Sequence, residues 1–560
     1  MRTKSQLFFR SLSLVWKSAP GWATWNVLVS LSAGMLPLVL VWLIKRLLDA
    51  VTAVTVSGWQ EGYNMAMVAV IGIAVIYLLD EVFQSAGILI RKNQSFRLEE
   101  YMNGILHSKA VSLDLRHFED PAYFDILSRA SREAPYRPAS IVNNLVSLLR
   151  GAISLILIAG LISLLNWVLV VVLVLANIPG IWLRIHYAGK LYNFRKDLTP
   201  EARKSAYFNW ILTGDRPSRE LRLFGLGEYF TGLFTRSFSM QKKEEIAIIR
   251  KRSVIEIVTG LFKAGAAFVV ISFLVNETLE SNITLGGLAM YLLAFRPGMT
   301  YIWQILGSFA GLYEDSLFVS DIFEFLNLKE DISAVPPLAR IESLQSSIVI
   351  EDLSFAYPGS SSDILSGLTM EIRKGETVAI VGPNGAGKST LVRLLARLYD
   401  PSKGKIMIDG VDIRHTDPLE YRRLFSVLFQ DFMLYNLSAG DNITIGNVSV
   451  APDRERLKKA AGDAGIDDLI SGLPGAYDTV IGRLFDDSRE LSWGEWQKIA
   501  LARALYRDSS VLVLDEPSSA LDSASEYELF TRFREIARDR TSILISHHFS
   551  NVSIADRIFV

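Results

Sequence analysis

Residues 151–183 of this 560-residue chain carry no charged side chain at all. Such a stretch belongs in lipid or in a deep core, and a helix needs only about 20 apolar residues to cross a bilayer. The run is too long for one comfortable crossing. It fits two if it begins near Ala139 and ends near Tyr187, with a tight turn at Asn166-Trp167 making a hairpin. Apolar runs near 21–44, 63–90, 254–275 and 285–310 then bring the expected spans to six.

Charge placement favours six spans over five. Lys and Arg collect on the cytosolic side of membrane proteins. They number four in residues 1–20, eight in 91–138 and fourteen in 188–253, and none lies in 51–62 or 276–284. Lys45 and Arg46 are the exception. Six spans put the N-terminus, both basic loops and everything beyond residue 310 on the cytosolic side. The two long loops are polar yet periodic, so the membrane helices are expected to continue into the cytosol. Each loop has one break where a short cross-helix fits, Phe118-Glu119-Asp120-Pro121 and Gly214-Asp215-Arg216-Pro217.

Asp80, Glu81, Arg150, Arg184, Glu256, Lys263 and Arg296 lie within or beside the spans. Ionisable groups there either mark where a helix leaves lipid or face a water-filled cavity. Lys263 is mid-span, and Glu256, seven residues earlier, shares its helix face. That pair is expected to line an aqueous pathway. Pro37, Pro179 and Pro297 are expected to kink their helices. The net charge of −1 argues against a general nucleic-acid binder. The absence of cysteine excludes disulfides, thiolate metal sites and cysteine nucleophiles.

The character of the chain changes after about residue 325. A transmembrane domain over 1–325 is expected to be followed by a linker over 326–345, marked by Pro336-Pro337, and a nucleotide-binding α/β domain over 346–560. There a short β-rich run, Thr377-Val378-Ala379-Ile380-Val381, leads into Gly382, Pro383, Asn384, Gly385, Ala386, Gly387, Lys388, Ser389 and Thr390. This is G-x-x-x-x-G-K-[ST] in its required context, with a strand before it and a helical pattern after it. The glycines let backbone N–H groups close on phosphate oxygens at a helix N-terminus. Lys388 offers a point charge to the β- and γ-phosphates, and Ser389 a hydroxyl to Mg²⁺. A second apolar run, Val511-Leu512-Val513-Leu514, ends in Asp515 and Glu516. Asp515 is placed to hold Mg²⁺, and Glu516 to orient and deprotonate an attacking water.

At this point the sequence resembles the ATP-binding-cassette (ABC) family. Leu491-Ser492-Trp493-Gly494-Glu495 looks like its signature, Ser518-Ser519-Ala520-Leu521-Asp522 like its D-loop, and Phe429-Gln430-Asp431 like its Q-loop. Ile545-Ser546-His547-His548 looks like the histidine switch, and Tyr357 like the aromatic that stacks on adenine. The resemblance implies two cassettes sandwiching two ATP molecules. Each site takes Gly382 to Thr390 from one cassette and Ser492, Gly494 and Glu495 from the other. Gln430 would sense Mg²⁺ and the membrane-domain contacts, and His547 would hold the γ-phosphate, with Glu516 the catalytic base.

The membrane-first order resembles ABC exporters of the half-transporter kind. Glu220-Leu221-Arg222-Leu223-Phe224-Gly225 and the wording around Trp493 look closest to bacterial exporters of ribosomally made peptides such as lantibiotics. The resemblance therefore implies ATP-driven export of a peptide, lipid or hydrophobic compound by a dimer of half-transporters. That dimer would sit in a bacterial inner membrane with its ATPase in the cytosol. An importer, or an ATP-gated channel or regulator on the same frame, is the alternative. The family usually has glycine where this chain has Trp493. A homodimer in which Trp493 points away from the nucleotide is one reading. A heterodimer whose partner lacks the catalytic acid is the other. Asp556-Arg557-Ile558-Phe559-Val560 ends inside an expected strand that family members continue, so a truncated C-terminus is expected.

Overall fold

A computed structural model of the chain describes residues 13–57, 59–133, 136–197, 199–329, 332–333, 335–360, 362–517, 523–537, 540–546 and 552–560. It divides into two compact units. One comprises Met1–Ser112 with Pro121–Leu328, the other Leu113–Asp120 with Lys329–Val560.

The first unit is helical. Its principal elements are Pro20–Ser57, Trp59–Ser112, Arg137–Ser163, Trp167–Leu175, Ile178–Asp197, Gly227–Leu279 and Leu285–Leu326. Among the described residues four helices are long and apolar enough to cross a membrane: Pro20–Ala53, Gly62–Ser112, Arg137–Ser163 and Gly227–Leu279. The other two expected spans are not among these four. Trp167–Gly180 is a shorter apolar helix among the described residues, and within it the Asn177 side chain donates to the Leu173 carbonyl at 2.8 Å. Leu285–Leu326 carries Arg296 and encloses Pro297, which dilute its apolar character. The expected turn is present: Asn166 caps the helix that follows, its Oδ1 accepting from Val168 N at 2.9 Å.

The polar loops are helical, as their periodicity implies. Trp59–Ser112 and Gly227–Leu279 run on well past their apolar portions. The first break holds a 3₁₀ turn, Leu115–Glu119, and the second a short helix, Ser218–Leu223. Small residues allow close helix approach here, as is usual between membrane helices. A Cβ on Gly180 would lie 2.7 Å from the Trp303 ring. Ser154 donates to the Gly34 carbonyl at 2.7 Å. Some buried polar groups pair across helices, which offsets their desolvation in a low-dielectric interior. Asn26 donates to Gln94 at 2.9 Å, and Arg137 meets Asp315 at 2.9 Å.

The second unit is built on two sheets. An antiparallel sheet has order β2-β1-β4-β5, from Leu365–Arg373, Ser347–Phe355, Lys403–Ile408 and Val411–Asp412. A parallel sheet has order β6-β7-β8-β3-β9, from Phe425–Leu428, Val511–Asp515, Thr541–Ile545, Thr377–Ile380 and Arg557–Phe559. Strands β3, β7 and β8 are buried along their whole length, which is why they read as continuous apolar runs rather than alternations. Period-two geometry sends Val511 and Val513 to one face of the sheet and Leu512 and Leu514 to the other. The first face packs on the helix Lys388–Leu395 through Leu391 and Leu395. The second packs on the helix Trp493–Tyr506 through Trp496, Ile499 and Leu501.

Candidate nucleotide site

In open parallel sheets, ligands bind beyond the carboxyl ends of the strands, and three strands bring the expected groups there. β3 feeds the phosphate loop. Gly385 and Gly387 have φ of +83° and +87°, a region side chains avoid. At Gly387 a Cβ would also lie 2.7 Å from the Leu365 side chain, so this position has no room for another residue. The loop wraps its own cation: Lys388 Nζ donates to the carbonyls of Gly382 and Pro383 at 2.8 and 3.0 Å. Ser389 and Thr390 follow at the start of the helix.

β7 ends in the two carboxylates. Asp515 is almost fully buried. Burial pushes its carboxyl above the ordinary aspartate range and the neighbouring Glu516 adds to this, while Ser389 and Lys388 act the other way. Its Oδ1 has no protein hydrogen-bond partner among the described residues. A buried carboxylate oxygen with a spare acceptor beside the Ser389 hydroxyl fits a hard cation such as Mg²⁺. Glu516 has φ of +53°. Its backbone is held on both sides, N–H to the Ile545 carbonyl at 3.0 Å and C=O by Gln497 Nε2 at 3.3 Å. Its carboxylate accepts from Gln430 Nε2 at 2.7 Å. Gln430 is the second residue past β6, so two adjacent strands fix this pair.

Tyr357, just after β1, packs edge-on against Phe355 and Tyr399. Its hydroxyl lies 3.1 Å from Thr390 Oγ1. Ser492 and Glu495 form a capping box at the start of the helix Trp493–Tyr506. Ser492 N–H donates to the Glu495 carboxylate at 2.7 Å, and Glu495 N–H to Ser492 Oγ at 3.3 Å. This satisfies helix-end donors that would otherwise lack partners. Trp493 lies against Phe432, ring centroids 5.0 Å apart.

The structure thus gathers Gly382 to Thr390, Gln430, Asp515 and Glu516, with Tyr357 tied on through Thr390. The helix opened by Ser492, Gly494 and Glu495 is on the opposite face of the sheet from the phosphate-loop helix. His547 and Ser518 to Asp522 lie outside the described residues. Sequence reasoning missed Gln497 and Arg393. Gln497 sits one turn beyond the signature, a position from which a helical side chain can reach the end of β7, but nothing in its type announces this. Arg393 donates to the Tyr357 hydroxyl at 2.9 Å. It sits three residues after Thr390, on the same helix face, which was the available signal.

A phosphate loop and an acidic strand end, joined in one chain to a bundle of apolar helices, define a membrane-bound P-loop ATPase. The ABC transporter family profile matches residues 365–519. The subtilin transport ATP-binding protein SpaT of Bacillus subtilis is 30% identical over 580 residues, spanning all of this chain and 92% of SpaT. The nisin transport ATP-binding protein NisT of Lactococcus lactis subsp. lactis is 27% identical, spanning all of this chain and 93% of NisT. An ATP-dependent lipid A-core flippase of Alkalilimnicola ehrlichii is 30% identical over 78% of this chain and 74% of its own. A bacterial Atm1-family ABC exporter with ATP bound shares the fold, with a TM-score of 0.81 at 23% identity over 96% of this chain and 93% of that one. The chain belongs to the ABC transporter family. It is an integral membrane protein with the fold of an exporter-type half-transporter, an ATP-binding ATPase coupled to transport.

Proposed function

We propose that this chain exports a peptide across a bacterial inner membrane as one half of a dimer, by alternating access. In this reading residues 1–325 form six spans with cytosolic extensions, 326–345 link them to the cassette, and 346–560 form a cytosolic cassette. Gly382 to Thr390 cradle the phosphates. Lys388, now on loop carbonyls, exchanges them for phosphate oxygens. Ser389, Asp515 and Gln430 would hold Mg²⁺, which would supply positive charge against the phosphates. Glu516 orients the attacking water and takes its proton, and His547 steadies the γ-phosphate. The Gln430–Glu516 hydrogen bond is the observation that carries this, since it aims a general base into the phosphate site.

The dimer is supported by the sheet. With the signature helix and the phosphate-loop helix on opposite faces, Ser492, Gly494 and Glu495 serve a partner's nucleotide more readily than their own. Peptide is favoured over lipid because SpaT and NisT match across all of this chain, whereas the flippase match is shorter. Coupling to the membrane domain runs through the loop tips near Phe118 to Tyr123 and Gly214 to Arg219. ATP-dependent accumulation of a lantibiotic-type peptide in inside-out vesicles tests the proposal. ATP-dependent loss of preloaded peptide would identify an importer. Downhill flux without sustained hydrolysis would identify a channel.

A further inference from the structure

Arg393 Nη1 stands between two groups that belong to different parts of the machinery. It donates to the Tyr357 hydroxyl at 2.9 Å and pairs with Glu119 Oε1 at 3.6 Å. Glu119 closes the 3₁₀ turn Leu115–Glu119, which joins the helices Trp59–Ser112 and Pro121–Glu133 yet packs with the cassette. The turn is well anchored there. Asp114 Oδ2 accepts from Ile332 N at 3.1 Å, His117 Nε2 lies 3.1 Å from the Lys329 carbonyl, and Leu115 packs on the cassette core. Tyr357 in turn meets Thr390 of the phosphate loop.

We propose that Arg393 is a positioning residue that sets the ring of Tyr357 for the nucleotide base and ties its position to the turn Leu115–Glu119. Nucleotide occupancy and the state of this membrane-loop turn are then read by one guanidinium. The inference rests on the proposed nucleotide site, with Tyr357 stacking on the base as its resemblance to the family's adenine-stacking aromatic implies. Lysine keeps the charge but replaces a planar, pre-organised donor with a flexible, strongly hydrated ammonium. A tyrosine hydroxyl fixed in advance lowers the ordering cost of binding, and that advantage disappears when the guanidinium is removed.

The test uses the full chain in lipid discs, with ATP binding measured by equilibrium dialysis without Mg²⁺, so that neither hydrolysis nor transport enters. R393A and Y357F are each expected to weaken ATP binding by about three- to tenfold, less than the full worth of a charge-assisted hydrogen bond because the bond acts on the nucleotide only through the ring. The double variant should be no worse than either single. R393K should fall between R393A and wild type, and E119Q should weaken binding by about twofold, as a partly exposed ion pair implies. Hydrogen exchange supplies the second readout. ATP should slow exchange in Leu115–Asp120 in the wild type but not in R393A. Multiplicative losses in R393A/Y357F, or an unchanged ATP effect on exchange in R393A, would overturn the relay. A wild-type chain that binds ATP but transports no peptide would instead count against the proposed export.

Discussion

Gln430 donates from Nε2 to Glu516 Oε2 at 2.7 Å, joining the second residue past β6 to the first residue past β7. Those strands are hydrogen-bonded neighbours, with Leu428 opposite Leu514. The register fixes the pair: a shift of one residue would turn the carboxylate to the other face. A hydrogen bond to a charged group contributes about 1.5–3 kcal/mol. Q430A is therefore expected to slow ATP turnover by roughly 10- to 100-fold, with a smaller change in ATP affinity. Equal losses in turnover and affinity would mean that Gln430 only helps bind nucleotide.

Asp515 should show the opposite balance between stability and function. Burying an ionised carboxylate is unfavourable unless it is paired, and its Oδ1 has no hydrogen-bond partner among the described residues. D515N is expected to melt no lower than wild type without Mg²⁺, while losing the added stabilisation that ATP with Mg²⁺ gives wild type. Differential scanning fluorimetry of both forms checks this. A D515N melting point that still rises with ATP and Mg²⁺ as in wild type would remove Asp515 from the metal site.

Trp493 bears on the identity of the partner. Its ring is packed on Phe432 of its own cassette, 5.0 Å between centroids, and it remains half exposed. This favours the reading in which the indole points away from the nucleotide and the chain pairs with itself. Purified alone, the chain should hydrolyse ATP. W493G should change that rate less than about threefold while lowering stability by about 1 kcal/mol through the lost aromatic pair. A feeble wild-type rate that W493G raises strongly would favour a heterodimer.

Lys263 and Glu256, seven residues apart on one helix face, each have a partner of their own. Lys263 Nζ lies 3.3 Å from the centroid of the Trp303 ring, and Glu256 is bonded to Arg252 Nε at 3.0 Å. A cation over an indole is stabilised by about 0.5–2 kcal/mol, which helps the helix bundle hold a mid-span ammonium. The chain lacks cysteine, so K263C is a clean probe. It should react with a charged, membrane-impermeant thiol reagent from one side. No reaction from either side, in any nucleotide state, would place position 263 away from an aqueous pathway.

What was legible in the sequence is what chemistry or sterics tie to particular residue types close together. The phosphate loop needs Gly385 and Gly387 for its backbone, β7 needs four apolar residues before its acids, and Asn166 caps the helix after the turn. The two loop breaks were legible from Pro121 and Pro217. Less legible was anything carried by distant partners. Glu119 and Arg393 meet across the chain with no periodicity to link them, and Gln497 supports Glu516 from the other face of the sheet. The cation–π partner of Lys263 was hidden for the same reason. Arg296 and Pro297 lower the apolar signal of the expected span near 285–310.

The most direct test of the account is ATP hydrolysis by E516Q in lipid discs beside wild type. Replacing the carboxylate with an amide keeps the size and the hydrogen-bonding reach toward Gln430 but removes the base. General-base catalysis contributes typically 10²- to 10⁴-fold. Turnover should therefore fall by about 100-fold or more while ATP is still bound. Hydrolysis by E516Q at close to the wild-type rate would contradict the assignment of the base.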